Sequence, residues 1–260
     1  MYWERGPLDD GGTGTKLNEG MQGLSWMTRE PGRMNWDRAG TKGERNMLIG
    51  IVDYGAGNLL SVRNALDFLK VESKLVRSRK DMAGIKGLVL PGVGAFEPAL
   101  EMLRSKKLDQ EILAWLEADR PFLGICLGLQ LLFEGSEEAP GVKGLSIFKG
   151  NVLRFSRGRV PQIGWNQVAA RKGSRFFGSL RDGEFFYFLH SYYVKPASKD
   201  IIAGTTEHGI SYASAVERGN ALAVQFHPEK SGDAGLKLLA NWVRICRGRG
   251  MDAKGHSGGN

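Results

Sequence analysis

Short apolar runs alternate with amphipathic segments between residues 47 and 145. The run MLIGIVD (47–53) is apolar almost throughout and is typical of a buried strand, whereas NLLSVRNALDFLK (58–70) repeats its apolar positions at helical spacing. Further strands are predicted at SKLVRS (73–78), KGLVLPG (86–92) and PFLGIC (121–126). Helices are predicted at FEPALEMLRSKKLDQEILAWLEAD (96–119, one helix or two) and LGLQLLFEG (127–135). Such alternation favours a parallel sheet covered by helices on both faces.

After about residue 145 the pattern becomes strand-like with few helices. The predicted strands are GNVLRFS (150–156), EFFYFLHSYYV (184–194), IIAGTTEH (201–208), ISYASAVERG (210–219) and ALAVQFHPE (221–229). A closing helix follows at 232–247, capped at Ser231 or Asp233. The predicted fold class is therefore α/β: a doubly wound, mostly parallel central sheet with helices on both faces and an antiparallel extension in the C-terminal half.

The two ends of the chain lack this order. Residues 1–46 are rich in glycine and polar residues without a sustained period, and they are expected to form a disordered N-terminal extension. Residues 248–260 are again glycine-rich and are expected to form a flexible tail. One folded domain, residues 47–247, remains between them.

Composition narrows the classes of function. The 260 residues carry a net charge of +8, but lysine and arginine are scattered without a basic run, which argues against nucleic-acid binding. No apolar stretch approaches the ~20 residues that span a bilayer, and no signal peptide opens the chain, so no membrane association is expected. The two cysteines have neither metal-binding nor disulfide-framework spacing, which favours a reducing, cytoplasmic compartment.

A candidate nucleophile lies at the junction of a predicted strand and helix. Cys126 stands between Gly124 and Gly128 in GICLG, the pattern of a nucleophile elbow. The following helix N-terminus would favour the thiolate, and the N–H of Leu127 could stabilise an oxyanion. The alternative is a buried structural cysteine, which is also our interpretation of Cys246 in the closing helix.

A thiol nucleophile needs a base, and His227 is the best placed of the four histidines. It is followed by Pro228 and Glu229, and on an extended backbone the side chains of residues 227 and 229 lie on the same side. Glu229 could then orient the imidazole and stabilise its protonated form. The alternative interpretation of HPE is a surface turn.

A second oxyanion donor could come from the loop Pro91-Gly92-Val93-Gly94. It follows a buried strand, at the edge of a parallel sheet where backbone N–H groups can face a cleft. The alternative is an ordinary glycine-rich turn. Neither GxxxxGK[ST] nor GxGxxG is present, so nucleotide binding has little support.

These motifs together resemble those of a known enzyme family. GICLGLQLLF (124–133) with QFHPEKS (225–231) is similar to the class I, triad-type glutamine amidotransferases. Within that family DYGAGN (53–58), PGVGAF (91–96), GWN (164–166) and HSYY (190–193) resemble the glutaminase subunits of imidazole glycerol phosphate synthase. The resemblance covers about residues 47–245.

The resemblance implies roles for individual residues. It implies Cys126 as nucleophile, His227 as base and Glu229 as its orienting acid. The residues implied to stabilise the oxyanion are Leu127, Val93 and Gly94. Those implied to bind glutamine are Gly92, Gln130 and Glu138. Those implied to face the partner are Asn58, Trp165, Tyr187 and Lys230. Gln162, in VPQI, replaces a histidine usual in the family, which puts one detail of the partner contact in doubt.

The implied activity is hydrolysis of L-glutamine through a γ-glutamyl thioester, without a metal or organic cofactor. The ammonia would pass to a (β/α)8-barrel cyclase in a heterodimer, which would make imidazole glycerol phosphate and aminoimidazole carboxamide ribotide in histidine biosynthesis. The subunit would then serve both a hydrolase and a lyase step. Alternatives are a glutaminase subunit of another amidotransferase, a stand-alone γ-glutamyl hydrolase or cysteine peptidase on the same fold, and a binding module without catalysis.

Overall fold

The computed structural model describes residues 47–248. The predicted N-terminal extension, residues 1–46, and the tail beyond Gly248 lie outside the described residues. Within the described part, no helix has the length and apolar character needed to cross a membrane.

Thirteen strands form one mixed sheet within residues 47–248. In chain order they are β1 Leu48–Val52, β2 Glu72–Val76, β3 Gly87–Gly92, β4 Phe122–Cys126, β5 Gly135–Ser136, β6 Ala139–Lys143, β7 Gly150–Arg154, β8 Gln162–Ala170, β9 Glu184–His190, β10 Tyr192–Pro196, β11 Ile202–Glu207, β12 Ser211–Arg218 and β13 Ala221–Val224. The helices are α1 Leu59–Phe68, α2 Phe96–Ser105, α3 Leu108–Glu117, α4 Leu127–Gln130 and α5 Gly232–Cys246.

The parallel half of the sheet has the order β2-β1-β3-β4-β13. From β13 the sheet continues through antiparallel pairs to β12, β10 and β7, and β11, β8 and β9 branch from β12. This arrangement confirms the predicted α/β fold with an antiparallel extension.

Helices cover both faces of the parallel strands. Alternate strand residues point to opposite faces, so Ile49 and Ile51 pack with Leu66 of α1 and Trp242 of α5 in one core. The other core lies on the opposite face and is formed with α2 and α3. The predicted segment 96–119 is two helices, separated where Lys107 takes a left-handed backbone conformation with φ 56°.

The helix predicted over residues 127–135 is wrong in length, because α4 ends at Gln130. The carbonyl of Leu131 accepts a hydrogen bond from Leu145 N (2.8 Å), and that of Leu132 accepts one from Phe148 N (3.0 Å). Because these carbonyls bind another segment, the chain leaves the helical path after one turn.

Candidate active site

The elbow at Cys126 has a constrained backbone. Cys126 adopts φ 54° and ψ −109°, a conformation that costs a non-glycine residue about 1–3 kcal/mol. A Cβ atom on Gly128 would lie 2.0 Å from the carbonyl oxygen of Leu90, so only glycine fits there. A Cβ on Gly124 would meet the Cβ of Ala223 at 3.0 Å. The strand–helix junction therefore presents the cysteine while passing very close to β3.

A cavity of about 320 Å³ lies beside the elbow. Most of the predicted catalytic and binding residues line it. The predicted site residues that line the cavity are Val93, Gly94, Cys126, Leu127, Gln130, Glu138 and His227. The remaining lining residues were not predicted as site residues, and they are Pro161, Leu189, His190, Ser191 and Tyr192. Gly92 does not line this cavity; it pairs in register with Cys126 across β3 and β4.

His227 and Glu229 form a buried ion pair. Nδ1 of His227 lies 2.8 Å from Oε1 of Glu229, with side chains 2% and 1% exposed. Burial acts to lower the pKa of His227, but hydrogen bonding and charge from Cys126 and Glu229 outweigh it and raise this pKa to about 10. Nε2 of His227 makes no hydrogen bond of good geometry within the described residues. The imidazole is therefore protonated at neutral pH and lies under the electrostatic influence of the cysteine.

The backbone between these two residues differs from the prediction. An extended segment was expected over residues 227–229, but Pro228–Lys230 forms a short 3-10 turn. Proline is compatible with the first position of a helical turn, where its missing N–H is not needed. The turn still brings the carboxylate of Glu229 back onto the ring of His227.

Ser231 holds this turn against β9. Its side chain was predicted as a possible helix cap, and it does precede α5, but its hydroxyl makes no cap bond. Instead, Oγ donates to the carbonyl of His227 (2.6 Å) and accepts from the N–H of Tyr187 (3.0 Å). The N–H of His227 donates to the carbonyl of Tyr187 (2.9 Å). The histidine backbone is thus fixed directly to a strand of the antiparallel extension.

The two predicted glutamine-binding side chains already have partners in the protein. Nε2 of Gln130 donates to the carbonyl of Tyr192 (3.1 Å) and to Oε1 of Gln225 (3.2 Å). Oε2 of Glu138 accepts from the N–H of Phe96, at the start of α2 (2.9 Å). Their remaining oxygens are acceptors, which suits the ammonium or amide groups of an amino-acid ligand.

Sequence reasoning missed two buried residues near Cys126. Gln225 is fully buried, and its Nε2 lies 3.7 Å from Sγ of Cys126. Tyr54 is 1% exposed, and its hydroxyl has no hydrogen-bond partner among the described residues. Burial, with the charge of Cys126, raises the pKa of Tyr54 above its usual range. Both lie in recognised motifs, DYGAGN and QFHPEKS, but no local pattern indicated what they contact.

His190 lines the same cavity in the opposite protonation state. Burial lowers its pKa to about 3. Nδ1 lies 2.7 Å from the carbonyl of Tyr192 and therefore donates to it, and the unprotonated Nε2 lies 3.3 Å from the oxygen of Tyr212. A neutral imidazole with one nitrogen committed is a poor substitute for His227.

Gln162 lies inside the sheet. It is 4% exposed and pairs with His190 across β8 and β9, and its Oε1 accepts from the hydroxyl of Tyr212 (2.9 Å). The side chain of Gln162 points to the buried face of β8, and its effect on a partner contact stays a prediction.

The predicted partner-facing residues lie on adjoining elements. Asn58 precedes α1, and Lys230 belongs to the 3-10 turn that packs against both α1 and β9. Trp165 on β8 is 57% exposed and meets Tyr187 on β9 edge to face, with ring centroids 6.1 Å apart. Three more exposed apolar side chains share the face of this strand pair: Ile163, Phe185 and Leu189.

Comparison with known proteins gives a consistent result. A family model described as glutamine amidotransferase class-I matches residues 50–246. The chain is 44% identical over 201 residues to the imidazole glycerol phosphate synthase subunit HisH of Caldanaerobacter subterraneus subsp. tengcongensis, covering 77% of this chain and 99% of that protein. It is 47% identical over 203 residues to the protein of the same name from Thermococcus kodakarensis, covering 76% and 100%.

Solved structures agree on the fold. A crystal structure described as a glutamine amidotransferase superposes with a TM-score of 0.63 at 20% identity, covering 76% of this chain and 98% of that one. A structure of PurLQS from Thermotoga maritima gives 0.61 at 18% identity, covering 77% and 99%.

Proposed function

The chain belongs to the class I glutamine amidotransferase family and, within it, to the HisH subunits of imidazole glycerol phosphate synthase, and from this premise we propose how its site works. The enzyme is a glutaminase subunit of histidine biosynthesis that releases ammonia from L-glutamine. The observation that carries the proposed chemistry is the buried His227–Glu229 pair, 2.8 Å apart, whose histidine lines the same cavity as Cys126.

In the first half-reaction the Cys126 thiolate attacks the carboxamide carbon of glutamine. The tetrahedral oxyanion is stabilised by backbone N–H groups of Leu127 and the Val93–Gly94 loop, worth about 3 kcal/mol per donor. His227, protonated at neutral pH because its pKa is raised, gives its proton to the departing nitrogen. The C–N bond breaks, ammonia leaves, and the γ-glutamyl group remains on sulfur as a thioester.

In the second half-reaction the neutral His227 takes a proton from water. The resulting hydroxide attacks the thioester, glutamate leaves, and the imidazolium–thiolate pair is restored. Glu229 keeps the ring in orientation throughout and stabilises its charged form. The mechanism needs donors, acceptors and one sulfur nucleophile, and no step in it uses a metal or an organic cofactor.

Oxygen acceptors in the cavity wall support binding of an amino acid. Glu138 offers a carboxylate and Gln130 an amide oxygen, and we assign both to contacts with the polar groups of glutamine. Val93 is 40% exposed, and Gly94 has φ 100° with open space around its Cβ position. Such a loop can reorient a peptide N–H toward the oxyanion.

The partner we propose is a (β/α)8-barrel cyclase, bound as a heterodimer in the cytoplasm. The exposed apolar side chains on β8 and β9 support a protein-binding face here, because contiguous apolar patches on soluble proteins usually mark interaction sites. A docked cyclase would receive ammonia before water protonates it. β9 carries part of this face and also binds the backbone of His227. Binding of the partner would therefore directly affect the position of His227.

Replacement of Cys126 by serine or alanine tests the proposal. In the complex with the cyclase and its ligand, we expect glutamate release to fall by at least about 10³-fold, because the covalent intermediate is lost. Glutamate and cyclase product are measured together, with glutamine or with ammonia as the nitrogen source.

The cyclase reaction with added ammonia is the internal control. It should continue with either variant, because the barrel carries that chemistry. Glutamate release retained near the parent rate would remove Cys126 from the mechanism. Loss of the ammonia-dependent reaction as well would indicate a disrupted complex, which complex formation by gel filtration would detect.

A further inference from the structure

We propose that Gln225 is a hydrogen-bond donor to the sulfur of Cys126, holding it in place and favouring its thiolate form. The inference rests on the proposed role of Cys126 as nucleophile. Gln225 is 0% exposed, and its Nε2 lies 3.7 Å from Sγ, within the range of a hydrogen bond to sulfur.

The sheet brings these two residues together. β13 and β4 are parallel neighbours, with Val224 opposite Ile125. Gln225 is the residue after Val224, and Cys126 is the residue after Ile125, so both stand side by side at the carboxyl ends of their strands. This contact joins residues 99 positions apart in the chain.

A backbone carbonyl sets the orientation of the Gln225 amide. The carbonyl of Tyr192 can only accept, so the group of Gln130 that faces it at 3.1 Å is the nitrogen. The second hydrogen of that nitrogen points to Gln225 at 3.2 Å and requires the oxygen of the Gln225 amide there. The nitrogen of Gln225 is then on the other side, directed at Sγ. The hydrogen bonds that link Tyr192, Gln130, Gln225 and Cys126 therefore have fixed donors and acceptors, and the last donor in the row faces the nucleophile.

The N–H of Gln225 matters because another hydrogen-bond contact of the sulfur is with an acceptor. Apart from the imidazole of His227, Sγ makes two hydrogen-bond contacts within the described residues, with Gln225 and with the carbonyl of Leu189 at 3.8 Å. A carbonyl accepts from a thiol but repels a thiolate, whereas an N–H stabilises the thiolate. Because α4 is a single turn, its dipole offers less than the longer helix expected from the sequence.

Replacement of Gln225 by methionine removes the donor while keeping the length and volume of the side chain. Replacement by glutamate keeps an acceptor for Gln130 but places a carboxylate beside the sulfur. We expect the thiolate of Cys126 to become progressively less favourable from the parent to Gln225→Met to Gln225→Glu.

The measurement is the alkylation rate of Cys126 by iodoacetamide as a function of pH, read by mass spectrometry of its peptide in the full chain. In Gln225→Met the midpoint of the profile should move up by about one pH unit, with a rate about tenfold lower at pH values below the parent midpoint. The shift should be larger in Gln225→Glu. Asn241→Leu is the matched control, because it removes a buried amide bonded to the carbonyl of Phe176, and its profile should follow the parent.

Two results would overturn the inference: parent-like profiles in folded Gln225→Met and Gln225→Glu, or an equal shift in Asn241→Leu. Thermal unfolding of each variant verifies the fold, and Gln225→Glu serves if Gln225→Met does not fold. Alkylation requires no glutamine, so its outcome is independent of the glutamate assay. Failure of the donor role and failure of the proposed function are therefore distinguishable.

Discussion

Two buried histidines in one cavity wall are held in opposite protonation states. His190 and His227 are both largely removed from water, which disfavours the charged form of an imidazole. The pKa of His190 is lowered to about 3 by burial, whereas Cys126 and Glu229 raise that of His227 to about 10. The neighbouring groups, and not the burial, decide which histidine can donate a proton.

The protonation state of His190 predicts a pH dependence of stability. The pKa of His190 in the folded protein lies below its value of about 6.5 in the unfolded chain. Its contribution to the stability of the fold is therefore present above that pH and is lost as pH falls toward 3. At pH 5 the loss is about 2 kcal/mol. Urea unfolding at pH 7.5 and pH 5 should show that His190→Gln loses about 2 kcal/mol less than the parent over this interval.

The comparison with the parent cancels every other group that titrates in this range. His227 is present in both proteins. Its contribution to the free energy of unfolding changes in the opposite direction and is lost as pH rises from about 6.5 toward 10. Equal losses of free energy of unfolding in the parent and in His190→Gln would contradict the buried, neutral state of His190.

At this scale the sequence predicted local constellations well and distant contacts poorly. GICLG and HPE each place their side chains within a few residues, so the elbow and the ion pair could be anticipated from local geometry. The contact of Gln225 with Cys126 depends on strand order, and the bond from the N–H of Tyr187 to Ser231 joins residues 44 positions apart. Neither is encoded in spacing along one element.

Close packing of elements explains why the elbow requires its glycines. The chain passes from β4 into α4 against β3, and the three backbones leave no room for a side chain at Gly128. The resulting geometry fixes both Cys126 and the strand end that carries the Val93 loop. The elbow is thus a property of three elements together rather than of the cysteine alone.

Gly128→Ala should therefore destabilise the fold strongly. Its Cβ would lie 2.0 Å from the Leu90 carbonyl oxygen, and backbone must move, so we expect a loss of about 3 kcal/mol or more in free energy of unfolding. Gly135→Ala is the control: its nearest atoms would lie at 3.4 Å and beyond, an ordinary contact, and its stability should change by less than about 1 kcal/mol. Denaturant unfolding compares the two, and equal stabilities would contradict this account of the elbow.

Regular elements were predicted best where the binary pattern is strong. The buried runs of β1, β3 and β4 and the amphipathic helices were anticipated because hydrophobic spacing determines them. The strands β5, β6 and β8 were not, and α4 was predicted too long. At the end of α4, hydrogen bonds to another segment decide the local conformation, as the Leu131–Leu145 bond does.

At the scale of the whole molecule, the antiparallel extension links an apolar face to the active site. Trp165 and Tyr187 lie on one face of β8 and β9, while the backbone of Tyr187 binds His227 and Ser231. β9 also supplies the Leu189 carbonyl that contacts the sulfur. A partner that moved β9 would alter the surroundings of base and nucleophile together.

The central claim is that Cys126 is the residue that glutamine acylates. The most direct test treats the complex of chain and cyclase with an L-glutamine analogue that carries a chloromethyl ketone in place of the carboxamide, and maps the adduct by mass spectrometry. The account predicts one adduct on Cys126, none on Cys246, loss of glutamate release in proportion to labelling, and protection by L-glutamine. Labelling of another residue, or full inactivation with Cys126 unmodified, would contradict it.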